Sequence, residues 1–186
     1  MAIGMKLKKA EAGHEPGQSK FFGDPTIPAW MEGEIEEDEV FLAQIKLPDI
    51  ASLDPEHLLP HEGWLYFFLK AEDDSPWTPK EAVVRYSNEE PGMILGDFNR
   101  CSPIPEGMTE AWLVEFEPVE DAESGMKMLG VPNDWNYEDP APLLLLQYDP
   151  LDSPSPFLSE MDGTAYFFAG KDLQDFTDAV WHAEYS

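Results

Sequence analysis

Gly63-Trp64-Leu65-Tyr66-Phe67-Phe68 (GWLYFF) returns further along the chain as Gly163-Thr164-Ala165-Tyr166-Phe167-Phe168 (GTAYFF). Residues 65–69 are apolar without a break. Such a run is too short for an ordinary helix and fits a strand covered on both faces. Working outward, each phrase is preceded by an apolar run carrying one glutamine, FLAQI with Gln44 and LLLQY with Gln147, and then by an Asp-Pro-rich link. The glutamine lies 19 residues before the glycine in the first case and 16 in the second. Ordered features repeated in this way predict an internal duplication, with halves at about 19–119 and 126–186. Neither half could bury its aromatic strand alone, so the two are expected to pair about a pseudo-twofold axis into one β core.

Further strands are predicted at 41–47, 82–87, 110–119 and 143–149, where apolar runs or strict alternation are bounded by Gly, Pro, Asn and Asp. Residues 50–60 allow a helical turn or two between prolines, and 120–142 read as a long connector. At the end, Asp172 offers an N-cap and Leu173, Phe176, Val180 and Trp181 share a face at helical spacing, predicting a C-terminal amphipathic helix. Residues 1–18 lack such patterning and are expected to be a flexible N-terminal arm before a single domain over 19–186. The expected fold class is mainly β with few short helices, a duplicated, roll-like single domain.

The formal charge of -27 on 186 residues repels a phosphate backbone, so nucleic acid is excluded as a partner. The same charge would draw in basic proteins or cations; it also serves solubility alone, or adaptation to salt. With one cysteine, Cys101, no intrachain disulfide or thiolate zinc cluster can form. No secretory leader or membrane-spanning run is visible, and a soluble, cytoplasmic protein is expected.

The ordered set SKFFGDPTIP, FLAQI, GWLYFF, LGVP at 129–132, LLLLQYD and DGTAYFFAGKDL resembles the YwqG-like family, a bacterial domain of unknown function, from about Ser19 to the C-terminus. The resemblance implies a mainly β, duplicated, roll-like fold and brings no activity, cofactor or catalytic residue with it. Phe22 stands where the family has a second glycine, and the middle, about 76–125, matches least.

Motifs for nucleotide binding, acyl transfer and zinc proteolysis are absent. His57 and His61 have the spacing of zinc ligands on a helix, but Pro60 between them spoils that face, and no metal site or cofactor is expected. His182 is expected to answer the dipole at the end of the terminal helix, and Cys101 to be structural. Gln44 and Gln147 each put an amide beside an apolar strand, where it must find partners. One reading has each amide tie down the loop leading to its Gly turn, at Gly63 and Gly163. Another has Gln44, Tyr66, Gln147 and Tyr166 line a ligand groove between the halves.

Trp30, Trp77, Trp135 and Tyr137 fall in proline-rich stretches near acids, and Glu36 and Glu37 lie in the run EGEIEEDE. Loop aromatics beside carboxylates suit either a loop folded back on its core or a protein-binding surface. The leading expectation is a non-enzymatic binding protein whose acidic, aromatic loops (Trp30, Glu36, Glu37, Trp77, Trp135, Tyr137) hold a basic protein, in the manner of an inhibitor or immunity protein. The alternative is a small-molecule binding protein or weak enzyme with its site at the junction of the halves.

Overall fold

The computed structural model describes residues 1–11, 14–72, 75–96, 108–133, 142–153, 163–171 and 176–185. Its strands are β1 (Ala2–Lys9), β2 (Lys20–Phe21), β3 (Thr26–Ile27), β4 (Glu39–Lys46), β5 (Trp64–Glu72) and β6 (Ser75–Ser87) in the first part of the chain. They continue with β7 (Met93–Ile94), β8 (Trp112–Val119), β9 (Lys127–Met128), β10 (Leu144–Tyr148), β11 (Gly163–Phe168) and β12 (Val180–Tyr185). Three short 3-10 turns, Ala29–Glu34, Leu47–Asp49 and Ala51–Leu53, complete the described elements. The protein is mainly β.

Ten strands form one antiparallel sheet in the order β12-β11-β10-β9-β1-β8-β2-β4-β5-β6. Its two edge strands, β6 and β12, lie side by side, so the sheet curls into a nearly closed barrel. One continuous core fills the inside and draws on every part of the sheet: Ile3, Phe21, Phe67, Val84, Leu145 and Phe167 all belong to it. The rings of Phe67 and Phe167 meet edge to face at 5.3 Å. Alternate side chains of β4, β5, β10 and β11 point outward into two separate clusters, Phe41, Trp64, Tyr66 and Phe68 in one, Leu144, Tyr166 and Phe168 in the other. The small β3–β7 ribbon and Met31 cover the first of these.

The register is symmetric about the central β1–β8 pair. Gln44 faces Tyr66 and Ala43 faces Phe67, while Gln147 faces Tyr166 and Leu146 faces Phe167. Each ladder then carries a bulge, between Phe41 and Ala43 and between Leu144 and Leu146. Lys20 sits opposite Gln44 and Lys127 opposite Gln147. Nearer the centre, Leu113 of β8 faces Lys20 and Gly4 of β1 faces Lys127. Exchanging positions 4 with 113 and 8 with 117 turns the pair Gly4–Glu117 into Leu113–Lys8, which the sheet also contains.

Three expectations are corrected. Residues 2–9 are not an arm but β1, the strand hydrogen-bonded between β8 and β9, with Ala2 and Ile3 wholly buried. The C-terminal helix is not formed where Val180 and Trp181 lie: they belong to β12, because β11 would otherwise present an unpaired edge, and Trp181 packs edge to face on Phe167 at 5.1 Å. Residues 172–175, which carry Asp172 and Leu173, lie outside the described residues. Trp77 is in β6 and not in a loop; the strand lies at the sheet edge, where Pro76 and Pro79 are tolerated because one row of backbone amides has no ladder partner.

Candidate functional site

Among the described residues the two glutamines clamp loops at 18–26 and 125–133, and not the expected loops leading to Gly63 and Gly163. Gln44 Oε1 accepts from the Thr26 amide at 2.9 Å, and its Nε2 donates to the Gln18 carbonyl at 2.9 Å. Gln147 does the same one half further on: Oε1 accepts from the Asn133 amide at 2.8 Å and Nε2 donates to the Gly125 carbonyl at 2.6 Å. Both amides are fully buried. Tyr66 and Tyr166 lie beside them on the outer faces, away from the Phe67–Phe167 contact. Gln44, Tyr66, Gln147 and Tyr166 therefore do not line a shared groove between the halves, and the space where such a ligand would sit holds core side chains.

The tyrosines differ in one respect. Tyr166 donates its hydroxyl to the Asn133 carbonyl at 2.8 Å, whereas the buried Tyr66 hydroxyl has no hydrogen-bond partner among the described residues. Burial, with Glu90 nearby, pushes the Tyr66 phenol well above its ordinary range.

A second repeated phrase becomes visible once the clamps are seen: Lys20-Phe21-Phe22-Gly23-Asp24-Pro25 against Lys127-Met128-Leu129-Gly130-Val131-Pro132. In both, the third and fourth residues are left-handed: Phe22 at φ 56° and Gly23 at 65°, Leu129 at 58° and Gly130 at 73°. That backbone explains why a glycine suits the position of Phe22; here the ring is held in the core against Phe21 and Tyr148. The lysine opening each phrase was passed over in the sequence because its stretch has no strand or helix period.

The most exposed aromatic and acidic ground lies on the turn Ala29–Glu34 and the link to β4. Trp30 is 43% exposed, and Glu32, Glu34, Glu36, Glu37 and Asp38 are all exposed around it. The ledge is anchored from below. Met31 is fully buried among the outward aromatics. Arg85 grips the buried Glu39 carboxylate through both terminal nitrogens, at 2.7 and 2.8 Å, donates to the Glu34 carbonyl at 2.7 Å and lies over the Phe68 ring. Lys70 pairs with Glu36 at 3.2 Å, and that hydrogen bond raises its pKa. Glu32, Glu34, Glu37 and Asp38 have no salt-bridge partner among the described residues. Of the other expected partner residues, Trp135 and Tyr137 lie outside the described residues, and Trp77 is described by its backbone alone.

His57 and His61 do come together, ring on ring at 4.1 Å, with His61 3.3 Å from Asp54. Asp54, however, is occupied in accepting the Leu58 and Leu59 amides, and no group of three metal-ligating side chains forms among the described residues. His182 is on β12, stacked on Tyr166, and not at a helix end. Cys101 lies outside the described residues. Among the described residues no helix is long and apolar enough to cross a membrane.

A family model described as Domain of unknown function (DUF1963) matches residues 19–93, or 75 of the 186 residues. The match begins at β2 and ends in β7, covering the first clamp, the acidic ledge and the β4–β5–β6 ladder. No curated protein and no solved structure matches the chain.

Proposed function

We propose that the protein is a YwqG-like, internally duplicated binding protein that holds a basic protein partner on the ledge formed by Trp30, Glu32, Glu34, Glu37 and Asp38. The observation that carries this reading is a half-exposed tryptophan in the same short segment as four exposed carboxylates that form no salt bridge among the described residues, on a backbone fixed by the buried Glu39–Arg85 pair. A rigid aromatic beside negative charge suits a lysine- or arginine-rich segment: the ring takes a cation over its face and the carboxylates steer the approach. Prior anchoring means that little backbone freedom is lost on binding. The net charge of -27 adds a long-range pull of the same sign.

Calorimetric titration with an arginine-rich peptide tests this. Binding should weaken as salt rises, and Trp30→Ala combined with Glu32→Gln, Glu34→Gln, Glu37→Gln and Asp38→Asn should reduce affinity by about tenfold or more, with the fold intact by circular dichroism. Equal affinity of the two proteins would sink the proposal.

A further inference from the structure

Lys20 and Lys127 hold equivalent places in the register yet are treated differently by their surroundings. Lys127 is fully buried, and its three ammonium protons go to three carbonyls: Asp121 at 2.9 Å, Glu123 at 2.6 Å and Val131 at 2.7 Å. Lys20, 2% exposed, donates a single hydrogen bond among the described residues, to the Asp24 carbonyl at 2.5 Å, which is the counterpart of the Val131 bond. The missing two have a visible cause. The short β8–β9 connection turns the Asp121 and Glu123 carbonyls onto Lys127, while the described residues of the longer β1–β2 connection give Lys20 none. A cavity of about 320 Å³ opens there instead, bordered by Lys20, His14, Pro16, Asp24, Thr26 and Thr109.

We infer that Lys20 is a reactive amine that captures a small, neutral aldehyde or ketone in this cavity. A buried lysine with one fixed proton and open space before the others is a poorly solvated cation, and its proton leaves readily. Desolvation, partly offset by Asp24, brings its pKa from 10.5 down to about 8, so that roughly a tenth of the amine is free at neutral pH, against well under a thousandth for an ordinary lysine. Among the described residues, the charged and titratable groups facing it are Asp24 and His14.

In the reaction the nitrogen lone pair attacks the carbonyl carbon, and the carbonyl oxygen takes the proton given up by nitrogen to form a carbinolamine. Loss of that hydroxyl with the remaining nitrogen proton leaves an imine and one water, and no oxidant or reductant is consumed. The strongly negative protein disfavours anionic carbonyl compounds, which selects neutral ones.

The test treats the full chain with glycolaldehyde and cyanoborohydride and locates the hydroxyethyl group by peptide mapping. At pH 7.5 Lys20 should be modified about tenfold faster than the exposed Lys8, Lys127 should stay unmodified, and the Lys20 rate should rise with a midpoint near pH 8. Slower modification of Lys20 than of Lys8 overturns the inference. Thr109→Trp, on the exposed wall of the cavity, leaves the lysine in place; it should cut labelling at Lys20 about tenfold and leave Lys8 unchanged. Undiminished labelling in that variant would show that the cavity is not the reactive place.

Discussion

Matched positions with unmatched partners make the sharpest tests available at single residues. Tyr66→Phe removes a buried hydroxyl with no hydrogen-bond partner among the described residues, so it should raise stability by about 1 kcal/mol; Tyr166→Phe strands the Asn133 carbonyl and should lower it by about 1 kcal/mol. Urea unfolding of the two variants decides this, and a change of the same sign in both would be contrary to expectation. Lys20 gives a pH signature. Its folded pKa lies below its unfolded one, so between about 8 and 10.5 the unfolded chain holds more protons and Lys20 makes stability rise with pH. Tyr66 and Tyr148, shifted upward by burial, act in the opposite sense above the ordinary tyrosine value of about 10. Lys20→Met removes only the first effect. The unfolding free energy of the native protein minus that of the variant should therefore increase by ~2 kcal/mol from pH 7 to pH 10. A flat difference would show that the ammonium is better solvated than its burial suggests. At this scale the glutamines were legible, since a lone amide among apolar residues has to be bonded. Lys20 and Lys127 were not: a lysine in a short irregular stretch looks like surface.

Among the elements, the strands carrying the repeated phrase were visible because they are long and apolar on both faces, a condition only a covered strand meets. β2 and β9, two residues each, are too short to show any period. The C-terminal segment misled for a different reason. Phe176, Val180 and Trp181 fit a helical stripe, but Trp181 and Ala183 also alternate with His182, and the free edge of β11 chose the second pattern. Gly63 shows how a strand entry is fixed. It is left-handed at φ 82°, and a Cβ there would collide with the Ser87 carbonyl across the β5–β6 ladder. Gly63→Ala should cost about 2–3 kcal/mol, read as a lowered denaturation midpoint at unchanged slope. β1 offers a larger test. Deleting residues 1–9 removes a strand with a neighbour on both sides and bares β8 and β9 together, so the truncated chain should show no cooperative unfolding transition. Retention of a native-like transition would mean that β1 is dispensable to the sheet.

On the scale of the whole molecule, composition fixed the charge and the existence of a core, and the repeated phrase pointed to two related ladders. How the ladders join could not be read, because strand order across the middle depends on which chain segment reaches the centre first. The structure has each opening strand cross over: β1 precedes β2 in the chain yet pairs with β9, and β8 precedes β9 yet pairs with β2. A chain of half the length, carrying only the counterparts of β1, β2, β4, β5 and β6, would have its first strand projecting away and a vacant lane beside its second. A second copy supplies both needs at once and rebuilds the same ten-strand order from two molecules. The crossover thus interlocks the two ladders: β1 cannot leave β9, nor β8 leave β2, without opening the middle of the ten-strand sheet, so neither ladder can be lost without the other.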